Sequence, residues 1–374
     1  MPELLTKTWI MWSRVFASAA LVAVVLVPAA AGLQTNTADQ RLDRALARLV
    51  RMQEGPPGVV AVVQRGSHRV VLKHGLAERS PRRAIAVGDR WRIASVAKAF
   101  SGAVAVTLVS RGRLRLDDTI GKRLPELPKA WHKVTLAQAL HHTSGLPDFS
   151  SSPGAVKHIQ THPRAPAQPS TLISWVADQG LRFPPGSKYK YSNTDNVVVA
   201  LFAEKATGLS YEQVLHSLVL DPLRLRRTSL PAGYRMPAPY VHGYSGKNDV
   251  SEVLNPTLAW ASGGIVSTPL DLTGFIRWYA PRGRGPFRPG NSDPEGPGVN
   301  EAGLAIFRYR TPCGTVYGHT GNFPGYTAFI AATRDGRRSI TIQASTQLSE
   351  GTGNQQAFQE LRRAFSLGAC AALS

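Results

Sequence analysis

A serine and a lysine spaced for joint chemistry occur at Ser95 and Lys98, in a run of small apolar residues that predicts a buried helix. Residues i and i+3 share one face of a helix, so the hydroxyl and the amine can lie side by side. A serine hydroxyl is a weak nucleophile until a neighbour takes its proton. A lysine desolvated among apolar side chains can fall well below its usual pKa of about 10.4 and take that proton. The pair therefore predicts a nucleophilic Ser95 activated by Lys98.

Ser-x-x-Lys pairs are common by chance, and a second one occurs at Ser187 and Lys190. Two further groups single out the first pair. Tyr191-Ser192-Asn193 is the only Tyr-x-Asn of the chain and follows a turn-forming Pro-Pro-Gly. His319-Thr320-Gly321 is the only His- or Lys-Thr-Gly and follows a strand-like segment. Serine-lysine, tyrosine-asparagine and a basic-Thr-Gly strand, in this order, form the active-site set of the penicillin-recognising serine hydrolases.

On these groups the chain resembles the β-lactamase-related serine hydrolases, most closely the secreted actinobacterial D-alanyl-D-alanine carboxypeptidases. Three more segments are similar to the family pattern: Trp91–Ala94, Leu140–Leu146 and Ala261–Ser267. The resemblance implies an α/β (α+β) fold of the β-lactamase/transpeptidase type, an antiparallel sheet flanked by helices with an inserted, mainly helical domain. It also implies a carboxypeptidase that cleaves peptidoglycan stem peptides through an acyl-enzyme and is acylated by β-lactams.

Each catalytic group then has an expected role. Ser95 attacks a carbonyl carbon, and Lys98 assists its deprotonation. Tyr191, a phenol in a cationic site, is expected to act as a phenolate base and then to protonate the leaving amine. Asn193 positions Lys98 or the substrate amide. His319 stands where many relatives carry a lysine and is expected to add positive character and to hydrogen-bond on the tyrosine side.

Substrate binding is expected along the strand that carries the third group. Thr320 would offer its hydroxyl to a substrate carboxylate, and Gly321 would allow an extended substrate to approach the strand edge. By resemblance, the backbone N–H groups of Ser95 and Asn322 would form the oxyanion hole. Trp260 would line the cleft, although its role as a core aromatic residue is equally consistent with the sequence.

One position departs from the carboxypeptidase pattern. Such enzymes carry an arginine a few residues before the cysteine of the His-Thr-Gly strand, where it binds the substrate's carboxylate. Phe307 stands there in this chain, and Arg308 and Arg310 are its neighbours. A displaced Arg308 remains a candidate substrate-binding residue. An esterase, a D-aminopeptidase or a β-lactamase of the same fold, acting on a small acyl substrate, therefore remains an alternative.

Other classes of protein fit less well. A non-catalytic penicillin-binding sensor would not need Ser95, Lys98 and Tyr191 together, and a Ser-His-Asp hydrolase lacks its Gly-x-Ser-x-Gly elbow. Neither Cys-x-x-Cys nor His-Glu-x-x-His occurs, so we expect no metal and no cofactor. We interpret His132, His141 and His142 as loop and core histidines.

The formal net charge is +20, with arginine the commonest charged residue. It indicates either a solvated basic surface or attraction to anionic cell-wall polymers. The basic residues are scattered and lack aromatic interleaving, which argues against nucleic acid as a partner. We expect a monomer.

The first 31 residues have the pattern of a signal peptide, with Lys7 and Arg14 before a short apolar stretch and Ala29-Ala30-Ala31 as a cleavage site. An uncleaved anchor is the alternative. We therefore expect a secreted or cell-wall-associated protein whose hydrolase domain covers residues 32–374. In an exported chain the two cysteines, Cys313 and Cys370, predict one disulfide.

The remaining patterns predict one sheet made from both ends of the chain, about 38–109 and 265–374, around a helical insertion at about 110–264. Residues 281–298, rich in Gly and Pro, predict an exposed loop. The predicted helices are 39–52, 95–109 and 354–367, and the predicted strands are 59–64, 69–74, 304–308, 315–318, 326–333 and 339–344.

Overall fold

An eight-stranded antiparallel sheet combines strands from both ends of the chain. The structure is a computed structural model and describes residues 37–287, 293–351 and 355–374. The strand order is β3-β2-β1-β12-β11-β10-β9-β8, while β4 pairs with β7 and β5 with β6 in two small ribbons. The strands are β1 (Gly58–Arg65), β2 (His68–Glu78), β3 (Arg83–Ala84), β4 (Trp91–Arg92), β5 (Tyr244–Ser245), β6 (Asn248–Asp249), β7 (Val266–Ser267), β8 (Val299–Ala302), β9 (Phe307–Thr311), β10 (Gly314–Phe323), β11 (Tyr326–Ala332) and β12 (Arg338–Ala344).

Helices cover the sheet and fill the middle of the chain. The α-helices are α1 (Thr37–Arg51), α2 (Ala97–Ser110), α3 (Ile120–Arg123), α4 (Leu136–Leu140), α5 (Pro153–Thr161), α6 (Pro169–Ser174), α7 (Asn193–Thr207), α8 (Tyr211–Leu215), α9 (Pro269–Tyr279) and α10 (Gln355–Leu373). Short 3₁₀ turns cover Ala94–Val96, Lys129–Trp131, Phe149–Ser151, Pro256–Leu258 and Trp260–Ser262, and a π turn at His216–Leu220 follows α8.

The joining of the chain's two ends is seen in the pairing of β1 with β12, where Val59 lies opposite Ala344. Both faces of these central strands are buried. Ile340 and Ile342 of β12 belong to the core shared with α1 and α10, while Thr341 between them meets Thr273 of α9. A strand covered on both faces often reads as a continuous apolar run, and this is why the sequence predicted β1 well. β12 instead alternates isoleucine with serine, threonine and glutamine.

The late strands correct two predictions. The strand predicted at 304–308 is wrong: Gly303 N donates to Ile306 O in a tight turn, and the chain pairs as β8 and β9 on either side of it. The left-handed φ of 51° at Ala305 belongs to this turn. The loop at 281–298 is not simply exposed, because Asp293 is only 6% exposed. Polar partners within the fold, described below, hold it there.

α2 lies at the centre of the helical region. It packs against α7, and Phe100 of α2 stacks on Phe275 of α9 with ring centroids 3.6 Å apart. Ten of its fourteen residues are buried, so α2 fixes the position of whatever precedes it.

A disulfide joins Cys313, just before β10, to Cys370 of α10. The predicted signal peptide lies outside the described residues. Among those residues, no helix has the length and apolar character needed to cross a membrane.

Candidate active site

Ser95 lies in the 3₁₀ turn that leads from β4 into α2. The α-helix itself begins only at Ala97, so the predicted helix start at 95 is two residues early. Ala94 has a left-handed φ of 51°, which costs free energy for a residue with a Cβ and is often found beside reactive groups. The turn aims the hydroxyl of Ser95 into a cleft next to β10.

Lys98 is fully buried one helical turn after Ser95. Its Nζ lies 3.1 Å from Ser95 Oγ and also donates to Asn193 Oδ1 and to the carbonyl oxygen of Ser262, both at 2.7 Å. Burial lowers the pKa of Lys98 to about 7, against the attraction of nearby carboxylates. The amine therefore exists in both protonation states near neutral pH and can accept a proton from Ser95.

Tyr191 completes the group around the serine hydroxyl. Its side chain hydrogen-bonds Ser95, and its ring centroid lies 4.8 Å from Lys98 Nζ. Burial raises the pKa of Tyr191 well above its ordinary value, and the hydrogen bond to Ser95 only partly opposes this. The prediction of a phenolate base is therefore wrong for the resting site. The phenol stays protonated and can pass a proton on.

Asn193, the first residue of α7, is held in one orientation by a residue that the sequence analysis missed. Its Nδ2 donates to the carboxylate of Asp148, 3.1 Å from Oδ2, and to Ser150 Oγ at 3.0 Å. Its Oδ1 is thereby turned towards Lys98. The only sequence signal for Asp148 is its place directly after the family-like segment Leu140–Leu146 and Pro147.

A buried polar cluster supports Tyr191 from behind. His142 Nδ1 lies 2.8 Å from Asp195 Oδ2, and Ser144 donates to the other oxygen of that carboxylate. The ring of His142 lies 4.5 Å from the ring of Tyr191. Burial lowers the pKa of His142 to about 3, so the imidazole is neutral. We interpreted His142 as a loop or core histidine, and it is one, but it packs directly on a residue of the site.

β10 brings its Gly321 against the nucleophile turn. A Cβ at this position would lie 2.5 Å from Ile93 O and 3.0 Å from Ser95 N, so only glycine fits. This approach brings the Asn322 segment of β10 beside the Ser95 amide, as an oxyanion hole from these two N–H groups requires. The Asn322 side chain accepts from Thr327, and its Nδ2 has no hydrogen-bond partner among the described residues.

His319 is neutral rather than cationic. Its Nδ1 lies 2.6 Å from the carbonyl oxygen of Thr320 and must carry a proton to donate to it. Burial lowers the pKa of His319 to about 3, and the charge of Lys98 acts in the same direction. The expectation of positive character is therefore wrong. Nε2 is left as a buried acceptor with no partner in the described part of the chain, and no hydrogen bond to Tyr191 is present there.

Asp293 was missed by the sequence analysis and lies in the site. Its Oδ2 accepts from Thr320 Oγ1 at 2.8 Å and from the Tyr309 hydroxyl at 2.6 Å. Asn300 exchanges two hydrogen bonds with its main chain. The hydroxyl proton of Thr320 is thus already used, contrary to the expectation that it would be offered to a substrate carboxylate. Burial raises the pKa of Asp293, while these donors act in the opposite direction.

The cleft has a volume of about 250 Å³ and is lined by residues around Ser95 on one side and by residues around Asp293 on the other. Ser95 and Tyr191 contribute from the catalytic group, and Asp293, Glu295 and Phe307 line it together with residues 319–322. Burial, and next the charge of Asp293, raise the pKa of Glu295 to about 8. Phe307 meets the ring of His319 edge-on, with centroids 4.8 Å apart.

Two expected substrate-binding residues are not at the cleft. Trp260 is 3% exposed in the core, because its indole N–H finds a partner in Glu212, 2.9 Å away, and its ring packs on Tyr211. Arg308 pairs with Glu301 on the neighbouring strand and lies over the ring of Phe287 at 4.5 Å. Neither side chain is among those that line the cleft.

The alternative serine is also elsewhere. Ser187 is exposed and donates to the carbonyl oxygen of Pro184. It does not line the cleft that contains Ser95.

A serine, a buried lysine and a tyrosine grouped on one hydroxyl at the edge of such a sheet define a serine hydrolase of the acyl-enzyme class. The profile of the protein family described as Beta-lactamase matches residues 38–364. The chain belongs to the β-lactamase family.

Named relatives within and around this family differ in what they act on. The chain is 29% identical to penicillin-binding protein 4* of Bacillus subtilis over 173 residues, 46% of this chain and 37% of that protein. It is 30% identical to a D-aminopeptidase of Cereibacter sphaeroides over 243 residues, 63% of this chain and 45% of that protein. The chain thus matches less than half the length of either relative.

A solved structure gives fuller coverage. A D-stereospecific amidohydrolase from a Streptomyces species is 28% identical, has a TM-score of 0.73, and covers 86% of this chain and 98% of its own. This likeness extends over the sheet and the helical region together, and agrees with the predicted fold class.

Proposed function

We propose that the protein is a serine hydrolase that cleaves short D-amino-acid peptides or amides through an acyl-enzyme on Ser95, and that β-lactams acylate the same residue. The observation that carries the proposal is the grouping of Lys98 Nζ, 3.1 Å away, and the Tyr191 phenol on the Ser95 hydroxyl. Export, predicted from the first 31 residues, would place the protein beside peptidoglycan peptides.

In the proposed acylation, neutral Lys98 takes the proton of Ser95 as Oγ bonds to the carbonyl carbon. The N–H groups of Ser95 and Asn322 stabilise the resulting oxyanion. Tyr191 then donates its proton to the leaving nitrogen, the C–N bond breaks, and the Lys98 ammonium returns a proton to the phenol. In deacylation, Lys98 takes a proton from water as the water oxygen bonds to the acyl carbon. The bond from that carbon to Ser95 Oγ breaks, Oγ receives a proton through Tyr191, and the acid is released.

Preference for an amide of a D-amino acid is supported by the relatives. The D-aminopeptidase and the D-stereospecific amidohydrolase are among the more similar proteins, and the match to the second extends over 86% of this chain.

A D-alanyl-D-alanine carboxypeptidase is the second candidate. The Tyr-Ser-Asn and His-Thr-Gly groups and the similarity to a penicillin-binding protein favour it. The cleft counts against it, because no Arg lines it in the described part of the chain and the Thr320 hydroxyl already donates to Asp293.

Incubation with benzylpenicillin followed by intact-mass analysis tests the acyl-enzyme. We expect wild type and Ser187→Ala to gain the mass of one penicilloyl group, and Ser95→Ala to gain none. Hydrolysis of a D-alanyl amide should fall by about 10⁴-fold or more in Ser95→Ala, as when other covalent nucleophiles are removed. Acylation that persists in Ser95→Ala would reject the proposal.

A further inference from the structure

Resting on the proposed function, we propose that the part of the cleft formed by Asp293, Glu295 and His319 binds an ammonium group of the substrate. The site selects a cationic substrate and disfavours one with a free carboxylate. It is built from hydrogen-bond acceptors, and its ligand must therefore supply donors.

Glu295 supplies a carboxyl group whose charge is only weakly compensated by the described residues. It lines the cleft, yet none of the hydrogen bonds or ion pairs formed by the described residues involves its side-chain oxygens. Arg362 attracts Glu295 electrostatically, but it donates to Gly296 O at 3.2 Å and lies over Phe358, and the ion pairs of the described residues do not join it to Glu295. With only this weak compensation, burial raises the pKa of Glu295 to about 8, and a bound ammonium would favour the ionised carboxylate over the protonated form.

His319 provides an independent observation. His319 is only 2% exposed, and it lines the same cleft. Because Nδ1–H donates to the carbonyl of Thr320, Nε2 presents a lone pair, and this atom has no partner in the part of the chain that the structure describes. A buried acceptor of this kind costs free energy until a donor reaches it. An ammonium or amide N–H would be such a donor, whereas a carboxylate would not.

Asp293 adds a second buried acidic group behind Thr320. The hydroxyl groups of Tyr309 and Thr320 donate to its Oδ2, so the Thr320 oxygen is left to act as an acceptor. Of the residues that line the cleft in the described ranges, Asp293 and Glu295 are acidic and none is Lys or Arg. The pKa values of both acids are raised in the free site, so a bound cation, which stabilises their ionised forms, is the ligand charge that these groups favour.

Four matched substrates test the charge preference at pH 7.5. N-acetyl-D-Ala-D-Ala carries an anionic leaving group, its C-terminal amide is neutral, N-acetyl-D-alanyl-(2-aminoethyl)amide has a cationic leaving group, and D-Ala-D-Ala amide has a cationic acyl group. We expect one of the two cationic substrates to exceed the neutral amide in kcat/KM by roughly 10- to 100-fold, the range of a charge-assisted hydrogen bond. Which one does so identifies the end of the substrate that carries the ammonium.

Glu295→Gln should remove most of that preference, measured as the ratio of kcat/KM for the cationic substrate to kcat/KM for the neutral amide in the same variant. Glu126→Gln, at an exposed carboxylate in the helical region, is the matched control and should keep the preference. Equal or faster hydrolysis of the neutral or anionic substrate by wild type would overturn the ammonium site. So would a preference that survives in Glu295→Gln.

The two proposals fail in different ways. If penicillin acylates Ser95 and the neutral amide is hydrolysed without any cationic preference, the ammonium site is rejected and the acyl-enzyme stands. If wild type forms no acyl-enzyme and hydrolyses none of the four substrates, both proposals fail.

Discussion

The two sides of the cleft differ in how completely their polar groups are paired. Around Ser95, the Lys98 amine has three oxygen partners within 3.1 Å, and Asn193 is held at both ends of its amide. Across the cleft, the Glu295 carboxylate and the Nε2 of His319 have no such partner among the described residues.

This difference separates chemistry from recognition. Groups that move protons work best when they are already placed and desolvated, because no reorganisation is then needed during the reaction. Groups that recognise a substrate must keep bonding capacity free until the substrate arrives. The paired side therefore predicts the reaction, and the unpaired side predicts the charge of the substrate.

The largest effect should come from the paired side. Lys98→Met keeps much of the volume but removes the amine, so we expect the rate of acylation by penicillin to fall roughly 10²- to 10⁴-fold. Lys190→Met, in the exposed second Ser-x-x-Lys pair, should leave the rate unchanged. Stopped-flow or quenched mass analysis measures the rate, and thermal melting checks the fold. A loss below tenfold would mean that another base serves Ser95.

The pH dependence of wild type should show the same group. The amine accepts a proton only in its neutral form, so the acylation rate should be low below pH 6, rise through about pH 7 and level off above it, as the lowered pKa of Lys98 requires. The raised pKa of Tyr191 and the lowered pKa of His319 put their titrations outside this range, and Glu295, whose pKa is raised to about 8, titrates above the midpoint at pH 7. Lys98→Met should lack the rise at pH 7.

Sequence reasoning found the paired side because its residues lie in short local groups. Ser95 and Lys98 are one helical turn apart, and Tyr191 and Asn193 flank the start of α7. It missed Asp293 and Glu295 because they lie in a Gly- and Pro-rich stretch where acidic residues are usually solvated. The burial of Asp293 depends on Tyr309, Thr320 and Asn300, contacts with other strands that no local pattern encodes.

The same limit explains the errors about charge. From the sequence, His319 was expected to be cationic because it replaces a lysine, and Tyr191 was expected to be anionic because it lies in a cationic site. In the fold both are desolvated, and desolvation favours their neutral forms. The strand pattern of the sheet was easier to predict than these protonation states, since burial on both faces leaves a continuous apolar run, as in β1.

A substitution at Gly321 would separate β10 from the turn that carries Ser95. In Gly321→Ala the new Cβ would meet Ile93 O at 2.5 Å and Ser95 N at 3.0 Å, both backbone atoms, so strand and turn must separate. A shift of this size should cost about 10²-fold in kcat/KM for every substrate alike. Gly180→Ala, with open space around its Cβ, is the control. A loss confined to one substrate charge class would show that the strand acts in recognition alone.

The smallest effect should come from substitution of Arg308, the residue that would bind the substrate carboxylate if the protein were a carboxypeptidase. Its guanidinium is held by Glu301, its cross-strand neighbour, and lies over Phe287, so it cannot meet a substrate carboxylate without breaking both contacts. Partly exposed ion pairs of this kind contribute about 0–1 kcal/mol, so Arg308→Ala should fold normally and change kcat/KM for N-acetyl-D-Ala-D-Ala by less than about threefold. Arg310→Ala, at a more exposed arginine near the same glutamate, is the matched control.

A loss of kcat/KM above about tenfold for the acid but not for its amide would mean that Arg308 leaves Glu301 to bind the substrate carboxylate, because the loss of one charge-assisted hydrogen bond lowers kcat/KM by about that factor. The unpaired side of the cleft would then recognise anions as well, and the contrast with the catalytic side would no longer predict a cationic substrate.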